Sequence, residues 1–165
     1  MKEKNSLTVS YLSSCDNIEC ALAMKQAVRR GIKATLDFEK FSGSAEVSVT
    51  FASPEHIKRL NREHRNKNSV TDVLSFPMYE RWEYESLPKG APVMLGDIVI
   101  CLDRAKSQAE EIGNTLIDEI TFLAVHSTLH LLGYDHERSP EDDEAQCARQ
   151  REITEKIKRE AKAFG

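Results

Sequence analysis

Three of the chain's five histidines, His126, His130 and His136, fall within the run His126-Ser127-Thr128-Leu129-His130-Leu131-Leu132-Gly133-Tyr134-Asp135-His136. Imidazoles four residues apart on a helix share a face, with roughly 5–6 Å between their Cβ atoms. Gly133 offers a helix stop and a turn, which would bring the third imidazole back toward the first two. Three neutral ring nitrogens converging from one side hold a catalytic zinc and leave a fourth position open for water. A zinc held this way lowers the pKa of water toward about 7, so hydrolysis needs no separate strong base.

One histidine on an apolar helix is usually structural, and a pair at i, i+4 arises readily by chance. The full spacing, His-x₃-His-x₅-His with a glycine between the second and third, is more restrictive and is the ligand spacing of the metzincin peptidases. Those enzymes carry a glutamate directly after the first histidine as general base. Here that slot holds Ser127, whose hydroxyl has no useful basicity near neutral pH. The metal geometry survives while peptidase chemistry loses its proton acceptor. Asp135 can orient an imidazole from behind or bond to its own local backbone, and both readings stand.

A second feature is basic. From His56 to Lys67 the chain holds Lys58, Arg59, Arg62, Arg65 and Lys67 against Glu63 alone, net +4, so the remainder of a chain with net charge −4 carries −8. Such a run by itself reads as a solvated helix face and a charged turn. It gains meaning only if the fold brings it to the histidines. The acidic balance argues against indiscriminate binding to polyanions but is compatible with a local basic groove.

The elements that must position these groups follow from local pattern. At 165 residues, 40% hydrophobic and 30% charged, the chain is expected to form one domain, residues 1–165, with a sizeable core. Strands are expected at Leu7–Leu12, Glu46–Phe51, Val70–Phe76 and Met94–Leu102, from β-branched content and alternation. A helix capped by Asp16 is expected to run to Arg30 and stop at Gly31. Ser53 followed by Pro54 and Glu55 opens another to about His64. Residues 78–92, with Pro88, Gly90 and Pro92, read as a loop. Helices follow from Asp103 to Ile112, closed by Gly113, and from Thr115 to Leu132. The last, from Ser139-Pro140 to about Lys162, reads as charged throughout. The order implies an α+β fold: a small mixed four-stranded sheet with packed helices and a zincin-like metal motif at a helix end. No secretory leader, no membrane span and no Cys-x-x-Cys pair is evident, and a reduced cytoplasmic protein is expected.

The histidine run closely resembles the His-Gly-x-Leu-His-Leu-x-Gly-Tyr-Asp-His signature of the YbeY family of bacterial metal-dependent endoribonucleases. Leu60-Asn61, Arg65, Lys67 and Thr71-Asp-Val-Leu-Ser-Phe-Pro77 resemble that family's Asn/Arg segment and following strand. Leu95-Gly-Asp-Ile-Val-Ile-Cys101 resembles another of its strands, and Gln108-Ala109, Gly113, Glu119, Glu144-Ala145 and Glu152 fall in the expected places. The resemblance spans about Phe51 to Glu152, some two thirds of the chain. Ser127 departs from the usual glycine, Asn68 from an aspartate and Asn114 from a histidine. These departures bear on substrate positioning more than on metal binding, although Ser127 could add a hydroxyl near the metal.

What the resemblance implies is one zinc per chain on His126, His130 and His136, with Arg65 as a functional arginine at the cleft mouth. It further implies action on single-stranded and ribosomal RNA, in maturing the small-subunit RNA 3′ end and in ribosome quality control. A ribosome-assembly GTPase and a small-subunit ribosomal protein are the implied protein partners. Lys58, Arg59, Arg62 and Lys67 are then candidates for RNA contact, and Asp135 and Ser127 for the surroundings of the metal. Two competing readings remain: a non-catalytic ribosome-assembly factor with a structural metal, and a zinc metallopeptidase-like hydrolase.

Overall fold

The computed structural model describes residues 5–13, 21–88, 90–134 and 139–164. Four strands, β1 (Ser6–Ser13), β2 (Ser44–Ala52), β3 (Val73–Pro77) and β4 (Val93–Cys101), form one sheet in the order β1-β2-β4-β3. β1 and β4 pair parallel to β2, and β3 lies antiparallel on the outer edge of β4. The mixed four-stranded α+β architecture expected from the sequence is what forms. Six helices accompany it among the described residues: α1 (Ala21–Phe38), α2 (Pro54–Arg65), α3 (Arg81–Ser86), α4 (Leu102–Ile112), α5 (Leu116–Leu131) and α6 (Pro140–Phe164).

The sheet is covered unequally. α1 and α5 pack on one face, where Val28, Ile32 and Leu36 meet Val47, Val49, Ile98, Ile120 and Ala124 in the main core. α2 covers the other face near β3 and β4 through Ile57, against Leu74, Val99 and Cys101. α5 is the central helix, buried on nearly all sides, including Glu119, Thr121, Ser127 and Thr128. That all-round burial is the pattern of a helix inside a core rather than on its surface. α6 packs across its outer side, through Ile153 and Ile157 against Val125 and Leu129.

Several expectations are corrected here. Gly31 does not stop α1, which continues to Phe38. A Cβ at Gly31 would lie 2.8 Å from Ala124 Cβ and 2.9 Å from Thr121 O, so this glycine lets α1 and α5 approach closely. Asp16, the expected cap, lies outside the described residues. Residues 81–86 form the helix α3 rather than a loop: Glu80 and Glu83 form a capping box, and Tyr84 donates to Leu131 O (2.9 Å) and Leu95 O (3.3 Å). α6 is not charged throughout, because Gln146, Gln150, Ile153 and Ile157 form one buried stripe. No helix among the described residues is long and apolar enough to cross a membrane.

Candidate active site

α2 begins as its sequence dictates. Ser53 accepts from the His56 amide at 3.2 Å, and Pro54 occupies the first turn, where its missing N–H costs nothing. Ile57 and Asn61 are buried at i, i+4, and Arg65 continues that stripe at the exposed helix end. The chain then reverses through Asn66, which adopts the left-handed conformation (φ 56°) that asparagine tolerates better than most residues. Asn61 closes this turn with its backbone carbonyl and its side-chain N–H. Its carbonyl accepts from the Lys67 amide at 3.3 Å, and its side chain donates to Ser69 O at 3.0 Å.

The following segment is fixed by Asp72. One carboxylate oxygen accepts from the Val73 amide (2.8 Å) and the Thr71 hydroxyl (3.2 Å), and the other from Gln108 Nε2 on α4 (2.9 Å). Residues 66–72 are therefore tied at both ends. They form one wall of a cleft beside the edge strand β3, opposite α5.

α5 carries the histidines. Thr115 caps its start, accepting from the Asp118 amide at 3.1 Å. Its end is a glycine-terminated cap: the Tyr134 amide bonds Leu129 O and the Gly133 amide bonds His130 O, both at 3.1 Å, with Gly133 at φ 106°. The expected stop and turn therefore form at this glycine, where a side chain would be strained. His126 and His130 lie one turn apart on α5, both half-buried. His136 and Asp135 lie outside the described residues.

The cleft has a volume of about 530 Å³, and its lining includes Arg65, Lys67, Asp72, Phe122, His126 and Gln150. Residues from opposite ends of the sequence motifs thus meet: the basic turn after α2 faces the first histidine of α5. Lys58, Arg59 and Arg62 are exposed on α2 outside this lining. Lys58, seven residues before Arg65, falls on nearly the same helical face, and Arg62 lies on its flank. Arg59 lies farther round the helix. Ser127 is fully buried and does not line the cleft, so its hydroxyl is directed into the core rather than toward the cleft.

His126 is held from behind. Its Nδ1 lies 2.5 Å from Gln150 Oε1 on α6. The buried Gln146 amide fixes the orientation of Gln150, donating to that same Oε1 at 3.3 Å and to His126 O at 3.4 Å. Gln146 Nε2 is also 3.4 Å from His126 Nδ1, but distance decides between the two contacts. A short contact to an oxygen is one that an Nδ1–H makes, and a neutral imidazole donating there keeps its lone pair on Nε2. That tautomer suits a metal ligand, and a histidine ligand ordinarily donates its other N–H to such a partner. The residues present fit zinc in this respect. Among the described residues no group of three His, Cys, Asp or Glu side chains gathers as a metal site, and the third imidazole of the motif falls outside them.

Glu119, about two helical turns before His126, is buried. Burial first, and the Asp72 carboxylate second, hold its carboxyl above the ordinary range. Sequence reasoning missed Gln146, Gln150 and Phe122 as site-forming residues. The signal existed for the glutamines, since two uncharged amides at i, i+4 run into Ile153 and Ile157 on an otherwise charged helix. Phe122 likewise stood out as an aromatic side chain off the core face of α5.

The family model described as Endoribonuclease YbeY matches residues 12–158. A relative named Endoribonuclease YbeY from Bacillus cereus (strain G9842) is 41% identical over 152 residues, covering 91% of this chain and 96% of its own. Others of that name, from Bacillus cereus (strain B4264) and Bacillus mycoides (strain KBAB4), are 46% and 45% identical over the same shares. A solution structure of a Thermotoga maritima protein matches with a TM-score of 0.59 and 25% identity, covering 95% of this chain and 93% of that one.

Proposed function

The chain belongs to the YbeY endoribonuclease family, and from that premise we propose that it is a zinc-dependent endoribonuclease cutting single-stranded RNA in the cleft between α2 and α5. The observation that carries this reading is the meeting of Arg65 and Lys67 with His126 in one lining. Arg65 presents a planar fork of donors, suited to the charge that builds on a phosphate under attack. Lys67 adds a point charge for a neighbouring phosphate. Lys58 and Arg62 extend the basic track along α2, so affinity should fall steeply with salt. These groups read backbone rather than base, which leaves the choice of cleavage site to partners.

His126, His130 and His136 would hold one zinc per chain, whose chemistry is to polarise a phosphoryl oxygen and activate water near neutral pH. Gln150 keeps His126 in the tautomer that this requires, and Gln146 keeps Gln150 in place. The rigid turn closed by Asn61 and Asp72 sets where Arg65 and Lys67 stand. The proposal extends to maturation of the small-subunit ribosomal RNA 3′ end and to ribosome quality control in the cytoplasm. A ribosome-assembly GTPase and a small-subunit ribosomal protein would be its partners there. The test is Arg65→Ala: a folded, zinc-loaded protein with cleavage of single-stranded RNA reduced at least tenfold is expected, and undiminished cleavage would remove Arg65 from the active site.

A further inference from the structure

Phe122 sits one helical turn before His126, on the same face of α5, and lines the same cleft. Glu119, Ile120, Thr121, Leu123, Ala124 and Val125 around it are all buried, yet Phe122 remains 37% exposed. Val70, another cleft-lining residue, is 39% exposed. An aromatic face in water beside two cations is the combination that binds single-stranded nucleic acid: the ring stacks a base while the cations take the backbone. A duplex keeps its bases stacked inside, so such a ring can be used only by an unpaired nucleotide.

We propose that Phe122, flanked by Val70, is a stacking subsite for one unpaired nucleobase of the RNA strand. Its neighbouring phosphates are held by Arg65 and Lys67. The inference rests on the RNA-cleaving reading above and adds to it the origin of single-strand selectivity. At i, i+4 from His126, with roughly 5–6 Å between Cβ atoms, the stacked base lies beside the histidine rather than on it. The subsite tolerates any base, since each has a π-face, so it positions the strand without dictating sequence.

The experiment measures equilibrium binding of a fluorescein-labelled RNA decamer to the zinc-loaded protein by anisotropy. The probe is used intact, with all of its bases removed, and as a duplex. Phe122→Ala should weaken binding of the intact single strand roughly five- to a hundredfold, the range ordinary for a lost base–aromatic stack. Phe122→Trp should restore it. The loss should vanish for the decamer abasic at every position, and the dependence on salt should be unchanged, whereas Arg65→Ala should flatten it. Phe122→Leu keeps an apolar side chain of similar bulk and guards against misfolding; it should fold and still bind weakly.

Wild-type affinity in a folded Phe122→Ala or Phe122→Leu would overturn the subsite, as would an equal loss on the fully abasic probe. A change in the protein's own association state without a change in RNA affinity would assign the ring to a protein contact instead. If the wild-type chain binds no RNA at all, the functional reading itself fails, which is a different outcome from loss of the stack.

Discussion

Gln150→Leu tests whether the buried amide pair behind His126 prepares it to bind metal. The substitution keeps bulk and removes the oxygen that lies 2.5 Å from His126 Nδ1. Gln150 is 6% exposed and Gln146 fully buried, so water cannot easily replace that acceptor. A buried N–H left without its partner costs about 1–3 kcal/mol, and the Gln146 amide loses its bond to the same oxygen. The imidazole can escape this cost by moving its proton to Nε2, which removes the lone pair that zinc needs. Metal affinity should therefore fall about 10- to 100-fold, the usual effect of losing a hydrogen-bond partner of a histidine ligand. Zinc affinity would be measured by competition with a chromophoric chelator, the tautomer by nitrogen chemical shifts of the metal-free imidazole, and stability by urea unfolding. Gln150→Glu, which still offers an oxygen to Nδ1–H, should keep most of the affinity. A Gln150→Leu protein with wild-type zinc affinity and an unchanged tautomer would refute the reasoning, whatever its stability.

Two other substitutions address the frame around the cleft. Tyr84→Phe removes the hydroxyl that bonds Leu131 O at the end of α5 and should cost about 1 kcal/mol. Burial first, then Tyr79 and Glu83, push the Tyr84 pKa up to about 12. Its contribution is therefore full below the unfolded value of about 10 and lost as pH rises toward 12. The stability gap between wild type and variant should shrink over that window in urea melts, and a gap that widens there would contradict the assignment. Gly31→Ala puts a methyl 2.8 Å from Ala124 Cβ and 2.9 Å from Thr121 O. Overpacking of about 1–3 kcal/mol should outweigh a helix-propensity gain of about 1 kcal/mol; a higher melting temperature for the variant would show that α1 and α5 can separate without loss.

Local chemistry explains which parts of this molecule are legible in its sequence. The caps at Ser53-Pro54 and Thr115, and the stop at Gly133, are contacts within a few residues, and they form as the residue types imply. Gly31 carries the same local signature as a helix stop, but its role is a close approach to α5, far along the chain. α3 has no period of its own and is held by Glu80 and Glu83 locally and by Tyr84 across the fold. The cleft is the least local feature of all, since Arg65 and His126 share no pattern in sequence. Only family resemblance joined them beforehand, and the edge position of β3 supplies the physical reason that they meet. His126 and His130 stand on one face of α5 as their spacing requires, while what orients His126 comes from Gln150 on a helix whose uncharged stripe is easily overlooked.

The most direct measurement determines zinc per chain and cleavage of a labelled small-subunit ribosomal RNA precursor on the same preparations of wild type and His130→Ala. The account predicts about one zinc and clear cleavage for the wild type, and loss of both in a folded variant. Full zinc retention by His130→Ala, or wild-type cleavage that is undiminished after complete removal of the metal, would contradict it.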